Sequence, residues 1–406
     1  MKNKNNINFI NNISKDYLIN NKLTGDKKII SKEIKRVAKS ISIKKDTFHT
    51  LSKNYKFDFK YSDFKRYNKY KKIFFIGMGG SILGIKAAYS FLKQKIKKEC
   101  YFIDNLEQEK IFNFSKKKQT KNSLFIIISK SGNTLETITN INLLSKVKFN
   151  SKNTIVITEK KNNAIFNFAK NLKISIVEHK SYVCGRYSVL SEAGILPLYL
   201  MGLDTKKIRS QILTHFKEKK LSYLIDSVCK MAQIYSAKRI NSIIFFNYSN
   251  KFNDFTYWCQ QLISESLGKN KKGLMPIISK APKDHHSLLQ LYLDGPKDKI
   301  FYILSTNLKE NIKVKKNIFG NSFNYLKNKN LDKILFSQKK AFINILKKKN
   351  IPYREIQIDA FSEEVIGNLF SFFIIETVLI AKLINVNPFD QPAVERVKIL
   401  TKKYLS

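Results

Sequence analysis

Cysteine is thinly spread in this chain and acidic residues are outnumbered, and each shortage narrows what the molecule can be. Cys100, Cys184, Cys229 and Cys259 are the four cysteines in 406 residues, and no two form a C-x-x-C pair. Disulfide scaffolds and thiolate metal sites need denser spacing, so reduced thiols in a cytoplasmic protein are expected, with no metal bound by them. The opening stretch, MKNKNNINFINN, lacks the continuous apolar core of a secretory leader. The strongly apolar run Leu369 to Ile384 is short for a bilayer span and is interrupted by Glu376 and Lys382, so a buried core helix is expected and no membrane partner. Acidic residues number 31 against 75 lysines and arginines, a formal charge of +44. Clustered, such charge would mark a nucleic-acid binder. Here lysine is scattered along almost the whole chain with no helix-turn-helix, zinc-finger or RNP-type signature, so no nucleic-acid partner is expected. The charge instead favours encounter with a small anionic substrate, in a salt-dependent way.

What the chain does have is apolar residues, 43% of the total, enough for a substantial core at a length that suggests two domains. Short runs rich in β-branched and aromatic residues alternate with helical stretches, the pattern of parallel sheets with crossover helices. Strands are expected at Ile73 to Gly77, Tyr101 to Asp104, Leu124 to Ser129, Thr154 to Thr158 and Ile174 to Val177. After Gly202 come two amphipathic helices, Thr205 to Glu218 and Leu221 to Arg239, then strands at Ser242 to Phe246, Ile300 to Ser305 and Arg354 to Ile358. Glu363 to Tyr404 reads as two helices broken at Asn387-Pro388. The fold class is therefore α/β, with two doubly wound parallel-sheet domains, 46–204 and 205–360, between helical segments at 1–45 and 361–406.

Two loops carry the first chemical signal. Gly77-Met78-Gly79-Gly80-Ser81 follows the first strand and precedes a helix over Ile82 to Leu92, so main-chain N–H groups and a helix N-terminus can face an anion. Ile82 replaces the last glycine of the dinucleotide fingerprint, and no G-x-x-x-x-G-K-[ST] loop exists, which removes both nucleotide motifs. Ser129-Lys130-Ser131-Gly132-Asn133-Thr134-Leu135-Glu136-Thr137 packs hydroxyls into a second strand-to-helix turn and suits a phosphate monoester, because neutral donors hold a dianion without stranding buried charge. Tight packing of glycines, or plain N-capping by the hydroxyls, would explain either loop alone. Two such loops in one sheet favour a ligand at the carboxyl ends of its strands.

Further along stand Cys184-Gly185-Arg186-Tyr187-Ser188, Ser264-Glu265-Ser266-Leu267-Gly268-Lys269, Asp284-His285-His286-Ser287 and Phe389-Asp390-Gln391-Pro392-Ala393-Val394-Glu395-Arg396-Val397-Lys398. With the two loops, these segments resemble the glucose-6-phosphate isomerase (phosphoglucose isomerase) family from about Ile73 to Lys398. The resemblance implies two sugar isomerase (SIS-type) domains, with the C-terminal helices completing the active site. It implies that Ser129, Ser131 and Thr134, helped by Thr137, hold the sugar phosphate, that Gly80 and Ser81 line the sugar, and that Gln391 contacts substrate. Glu265 would be the base that moves a proton between C2 and C1 through a cis-enediol, and Arg186 would stabilise the charge on that intermediate. His286 and Lys398 would open the pyranose ring. A homodimer follows from the family's delivery of that histidine by the neighbouring subunit, and no metal or organic cofactor is called for.

The chemistry asks for the same residue types: one carboxylate to shuttle a proton, and a separate acid and base for ring opening near neutral pH. The bland alternatives are an i,i+4 surface pair between Glu265 and Lys269, and surface charges at Arg186 and Lys398. His285 falls where the family commonly has glutamine and reads as a neighbour of the site, and Cys184 falls where a glycine is frequent. The Ser-Gly-Asn-Thr wording resembles the branch acting on both glucose and mannose 6-phosphates, whereas Phe389-Asp390-Gln391 and Lys398 resemble glucose-specific members. A noncatalytic sugar-phosphate sensor would keep the phosphate loop but lack Glu265, His286 and Lys398.

Overall fold

The computed structural model describes residues 7–19, 22–116, 120–308 and 312–406. Among these residues ten strands form two five-stranded sheets. In chain order the strands are β1 (Ile7–Asn12), β2 (Lys72–Gly77), β3 (Glu99–Ile103), β4 (Ser123–Ile128), β5 (Thr154–Thr158), β6 (Ser175–Glu178), β7 (Ser242–Asn247), β8 (Met275–Lys280), β9 (Lys299–Thr306) and β10 (Tyr353–Ile358). The first sheet runs β3-β2-β4-β5-β6, all parallel. Its central strands carry unbroken apolar runs, Ile73 to Ile76 and Leu124 to Ile128, because helices cover both faces and leave no side for polar residues. The chain leaves β2 toward β3 and returns to the other side for β4, so the carboxyl ends of β2 and β4 flank a topological switch point. In open parallel sheets ligands bind at such a point, outside the carboxyl ends of the strands. Both loops singled out in the sequence lie at this place.

The second sheet runs β1-β10-β9-β7-β8 and is parallel except for β1, which pairs antiparallel with β10 at the edge. Two of its strands were not expected. Segment 1–45 is expected to be a helical segment; it holds the helix Leu23–Ser40, and β1 precedes that helix. Its sequence, INFINN, is polar and alternates only weakly; what fixes it is β10, far away in sequence, where Arg354 Nε donates to Asn11 Oδ1 at 3.0 Å. The other, β8, contains Pro276, which a ladder tolerates only at an edge, and β8 is that edge. The expected helix Thr205 to Glu218 is also shorter, Thr205–Ser210, with the next helix at Glu218–Ala237. Between them Asn368 Nδ2 donates to the Gln211 carbonyl at 3.2 Å and to Thr214 Oγ1 at 2.6 Å, so a tertiary contact takes over the backbone.

The apolar C-terminal stretch forms the helix Glu363–Leu383, buried along its length against Thr205–Ser210, Glu218–Ala237 and the helix Asn253–Leu267. Glu376, the charge inside it, is bound by both terminal nitrogens of Arg354, at 2.7 and 3.1 Å. Both side chains are at most 3% exposed, and removing either one would strand a buried charge at a cost of about 3–5 kcal/mol. After a turn over 384–391 that includes Asn387-Pro388, the chain ends in the helix Pro392–Leu405, none of whose residues is buried.

Candidate active site

At the end of β4, Ser129 is buried and its Oγ lies 2.9 Å from Thr134 Oγ1 and accepts from the Gly132 N–H at 3.2 Å. Ser131 Oγ accepts from the Asn133 N–H at 3.3 Å. Thr134 is the N-cap of the helix Leu135–Leu143, but its side chain caps no helical N–H, so its hydroxyl is tied to Ser129 and not spent on the helix. Thr137 is fully buried, and its Oγ1 has no partner among the described residues. Gly132 holds φ at +67°, and a Cβ there would fall 1.7 Å from Asn163 Oδ1. The loop is thus an arc of hydroxyls and main-chain N–H groups at the start of a helix, an arrangement whose neutral donors suit a phosphate monoester.

Across the crevice, the β2 loop holds a second group in place. A Cβ on Gly80 would lie 2.3 Å from the Gly185 carbonyl carbon and 2.5 Å from the Arg186 nitrogen. Gly80 therefore lets the backbone that bears Arg186 reach the crevice, and Ser81 beside it is buried. The Arg186 side chain is 2% exposed. Nε donates to Ser266 Oγ at 2.9 Å, Nη1 to Glu265 Oε2 at 2.9 Å and Gln391 Oε1 at 3.0 Å, and Nη2 to the carbonyls of Pro388 and Asp390 at 2.5 and 3.0 Å. All five N–H groups are engaged, so the guanidinium is fixed in position. Tyr187, wholly buried, buttresses the same network through Ser266 Oγ at 2.7 Å and the Pro388 carbonyl at 3.0 Å; burial pushes its phenol up to about 12.

Glu265 sits near the end of the helix Asn253–Leu267, its side chain 27% exposed, and its second oxygen accepts from Gln261 Nε2 at 2.8 Å. The expected alternative, an i,i+4 pair with Lys269, is not formed: Lys269 Nζ bonds Asp390 Oδ1 at 2.7 Å instead. Gln261, Ser266 and Tyr187 were not singled out from the sequence. The first was within reach of it, being one helical turn before Glu265 on the same face. Taken together, a carboxylate with one face open, a fixed cation touching it and an amide at Gln391 can accept a proton from carbon and stabilise charge on adjacent oxygens.

His286 and Lys398 are not drawn into this cluster. His286 is exposed on the short helix Asp284–Ser287, and Lys398 is exposed on Pro392–Leu405, where its recorded partner is Glu395 at 3.4 Å. His285 turns inward: its Nε2 lies 2.8 Å from the Tyr248 hydroxyl and its ring stacks on Phe246 at 5.4 Å. Cys184 Sγ donates to the Phe389 carbonyl at 3.2 Å, next to the carbonyls that Arg186 uses. Among the described residues no three His, Cys, Asp or Glu side chains converge as a metal-ligand set.

The sequence profile described as Phosphoglucose isomerase matches residues 3–406. The chain belongs to the phosphoglucose isomerase family. It is 34% identical over 363 residues to a glucose-6-phosphate isomerase of Methanocaldococcus jannaschii, covering 82% of this chain and 84% of that one. It is 31% identical over 349 residues to the one of Campylobacter jejuni, covering 83% and 86%. In fold, the phosphoglucose isomerase match extends to the crystal structure of a glucose-6-phosphate isomerase from Chlamydia trachomatis (TM-score 0.69, 18% identity, 84% of this chain and 71% of that). A hypothetical protein from Thermus thermophilus shares the fold (TM-score 0.81, 22% identity, 98% of this chain and 100% of that).

Proposed function

We propose that this chain interconverts glucose 6-phosphate and fructose 6-phosphate, the isomerase step of glycolysis and gluconeogenesis. The observation that carries it is the buried Arg186 guanidinium, fixed by all five donors and touching a partly exposed carboxylate, across a crevice from a hydroxyl-lined loop. In this scheme Ser129, Ser131, Thr134 and Thr137 hold the phosphate, Gly80 and Ser81 line the sugar, and Gln391 contacts it. Glu265 removes the proton at C2 as O1 takes up a proton, giving a cis-enediol, and then returns a proton at C1 as O2 gives its proton up and C2 becomes the carbonyl. Arg186 stabilises the developing oxygen charge, an effect of about 3–4 kcal/mol for a single donor in comparable sites. Ring opening uses His286 and Lys398 as acid and base. C2 is oxidised and C1 reduced within the same sugar, so no outside electron acceptor is needed and the scheme calls on no metal or organic cofactor.

The proposal includes a homodimer in which His286 comes from the partner. Two observations support it: His286 is exposed and unjoined to the cluster, and the terminal helix leaves Val394, Val397, Leu400 and Tyr404 on solvent, Tyr404 at 81%. These four recur at helical spacing, an apolar stripe that a lone chain leaves uncovered. The same reading expects a cytoplasmic enzyme with neither nucleic acid nor membrane as partner. Purified protein supplied with fructose 6-phosphate in the presence of chelator should yield glucose 6-phosphate in a coupled assay, and Glu265→Gln should not. A folded parent that binds the sugar phosphate without turnover would favour the sensor reading.

A further inference from the structure

Among the residues of the site-bearing segments that have no part in the scheme above are Lys269 and Asp390, and each is the other's partner. Lys269 follows the helix of Glu265, and Asp390 precedes Gln391. The Lys269 ammonium lies 2.7 Å from Asp390 Oδ1 and also donates to the Asn387 carbonyl. Its side chain is 11% exposed, so it is committed to this contact and not to solvent. Asn387 Nδ2 donates to the other Asp390 oxygen at 2.9 Å, and Lys272 Nζ donates to the Ile384 carbonyl at 2.7 Å. The lysine beside it, the Asn387 amide and the nearby Arg186 hold the Asp390 carboxyl below its usual range. From the opposite side Arg186 donates to the Pro388 and Asp390 carbonyls. The turn over 384–391 is thus gripped by three cations, Lys269 and Lys272 on one side and Arg186 on the other, and a cavity of about 560 Å³ bounded by Glu265, Lys269, Asp390 and Gln391 opens beside it.

We propose that Lys269 is a positioning residue for the isomerisation: paired with Asp390, it holds the turn so that Gln391 meets Arg186 and the helix bearing Lys398 starts at a fixed place relative to Glu265. The inference rests on the functional reading above. A lysine at a helix C-terminus would ordinarily interact with that helix's own last carbonyls. This one spans to another segment, and the segment it reaches carries two of the groups assigned to the substrate.

The test is a double-mutant cycle on the full-length protein with Lys269→Met, Asp390→Asn and the pair, plus Lys269→Arg. Lys269→Met should lower kcat for fructose 6-phosphate by about 10-fold or more, since small misplacements at a reacting centre are that costly, with KM changed less than about 2-fold. The double variant should be no worse than the poorer single one, and Lys269→Arg should restore most of kcat. Full kcat in Lys269→Met, or losses that multiply in the double variant, would overturn the pairing. Hydrogen exchange in 384–391 should quicken in Lys269→Met whatever the chain catalyses, and unchanged exchange would overturn the clamp. A folded parent with no isomerase activity would count against the functional reading and leave exchange to decide the clamp.

Discussion

The two halves of the site are built to different standards. The half assigned to proton transfer, Arg186 with Glu265 and Gln391, is wired inside one chain: the guanidinium is buried, every donor is used, and three separated segments meet on it. The half assigned to ring opening, His286 and Lys398, stands on exposed elements and touches none of those groups by any recorded hydrogen bond. Moving a proton between two carbons demands sub-ångström placement of base and charge, which a rigid interior supplies. On the proposed reading the other half becomes comparably ordered only when a second subunit covers it, so its residues have no reason to be fixed within one chain.

Mixing subunits would break or sharpen this contrast with the largest effect. Glu265→Gln and His286→Ala should each lose at least about 100-fold in turnover. If His286 serves the partner's site, unfolding and refolding the two together should recover up to about a quarter of parental activity, because half of random dimers are mixed and each then has one intact site of two. No recovery from a mixture proved to contain mixed dimers would place both groups on the same chain. A smaller loss is expected on the buried side from Gly80→Ala. Its added Cβ would overlap the Gly185 carbonyl carbon at 2.3 Å, so the Arg186 backbone must shift. Turnover should fall by about 10- to 100-fold with sugar-phosphate binding largely kept, measured as kcat against KM; full kcat would mean that the guanidinium need not be so closely placed.

How far this contrast could be read from the sequence follows the same division. The glycine and hydroxyl loops were legible because each directly follows an apolar strand, and the switch-point rule then sends both to one crevice. Gly80 was legible as a loop residue, but its close approach to Gly185 was not, since nothing local in Gly79-Gly80-Ser81 names the backbone across from it. Lys269 illustrates the limit of local spacing: it stands one turn after Glu265 and still pairs with Asp390. The two edge strands of the second sheet were the hardest, because Ile7–Asn12 is held by Arg354 and Met275–Lys280 carries a proline, and neither bears the apolar run that marked the inner strands; the edges of the first sheet, β3 and β6, kept enough apolar residues to be legible.

The smallest effect on turnover is expected where acid pH separates stability from chemistry. His215 is buried, its Nε2 donates to the Asn368 carbonyl at 3.0 Å, and burial pushes its ring down to about 4. Burial, with Lys130 nearby, pushes His179 down to about 4 as well. A histidine held neutral in the fold binds its proton more readily when unfolded, so its stability is intact above pH 6.5 and is lost as pH falls from 6.5 toward 4. Each contributes on the order of 3 kcal/mol across that window. The thermal midpoint should therefore decline below pH 6.5, and His215→Gln should flatten part of that decline. An equally steep decline in His215→Gln would show that other groups govern it.

The most direct test of the account follows deuterium at C2 of glucose 6-phosphate in ordinary water while fructose 6-phosphate forms. If Glu265 takes the C2 proton and returns one at C1, the parent should move part of the label to C1 and release part to solvent, and Glu265→Gln, folded and still binding the sugar phosphate, should do neither. Label that still leaves C2 in that variant would contradict the assignment of Glu265 as the base.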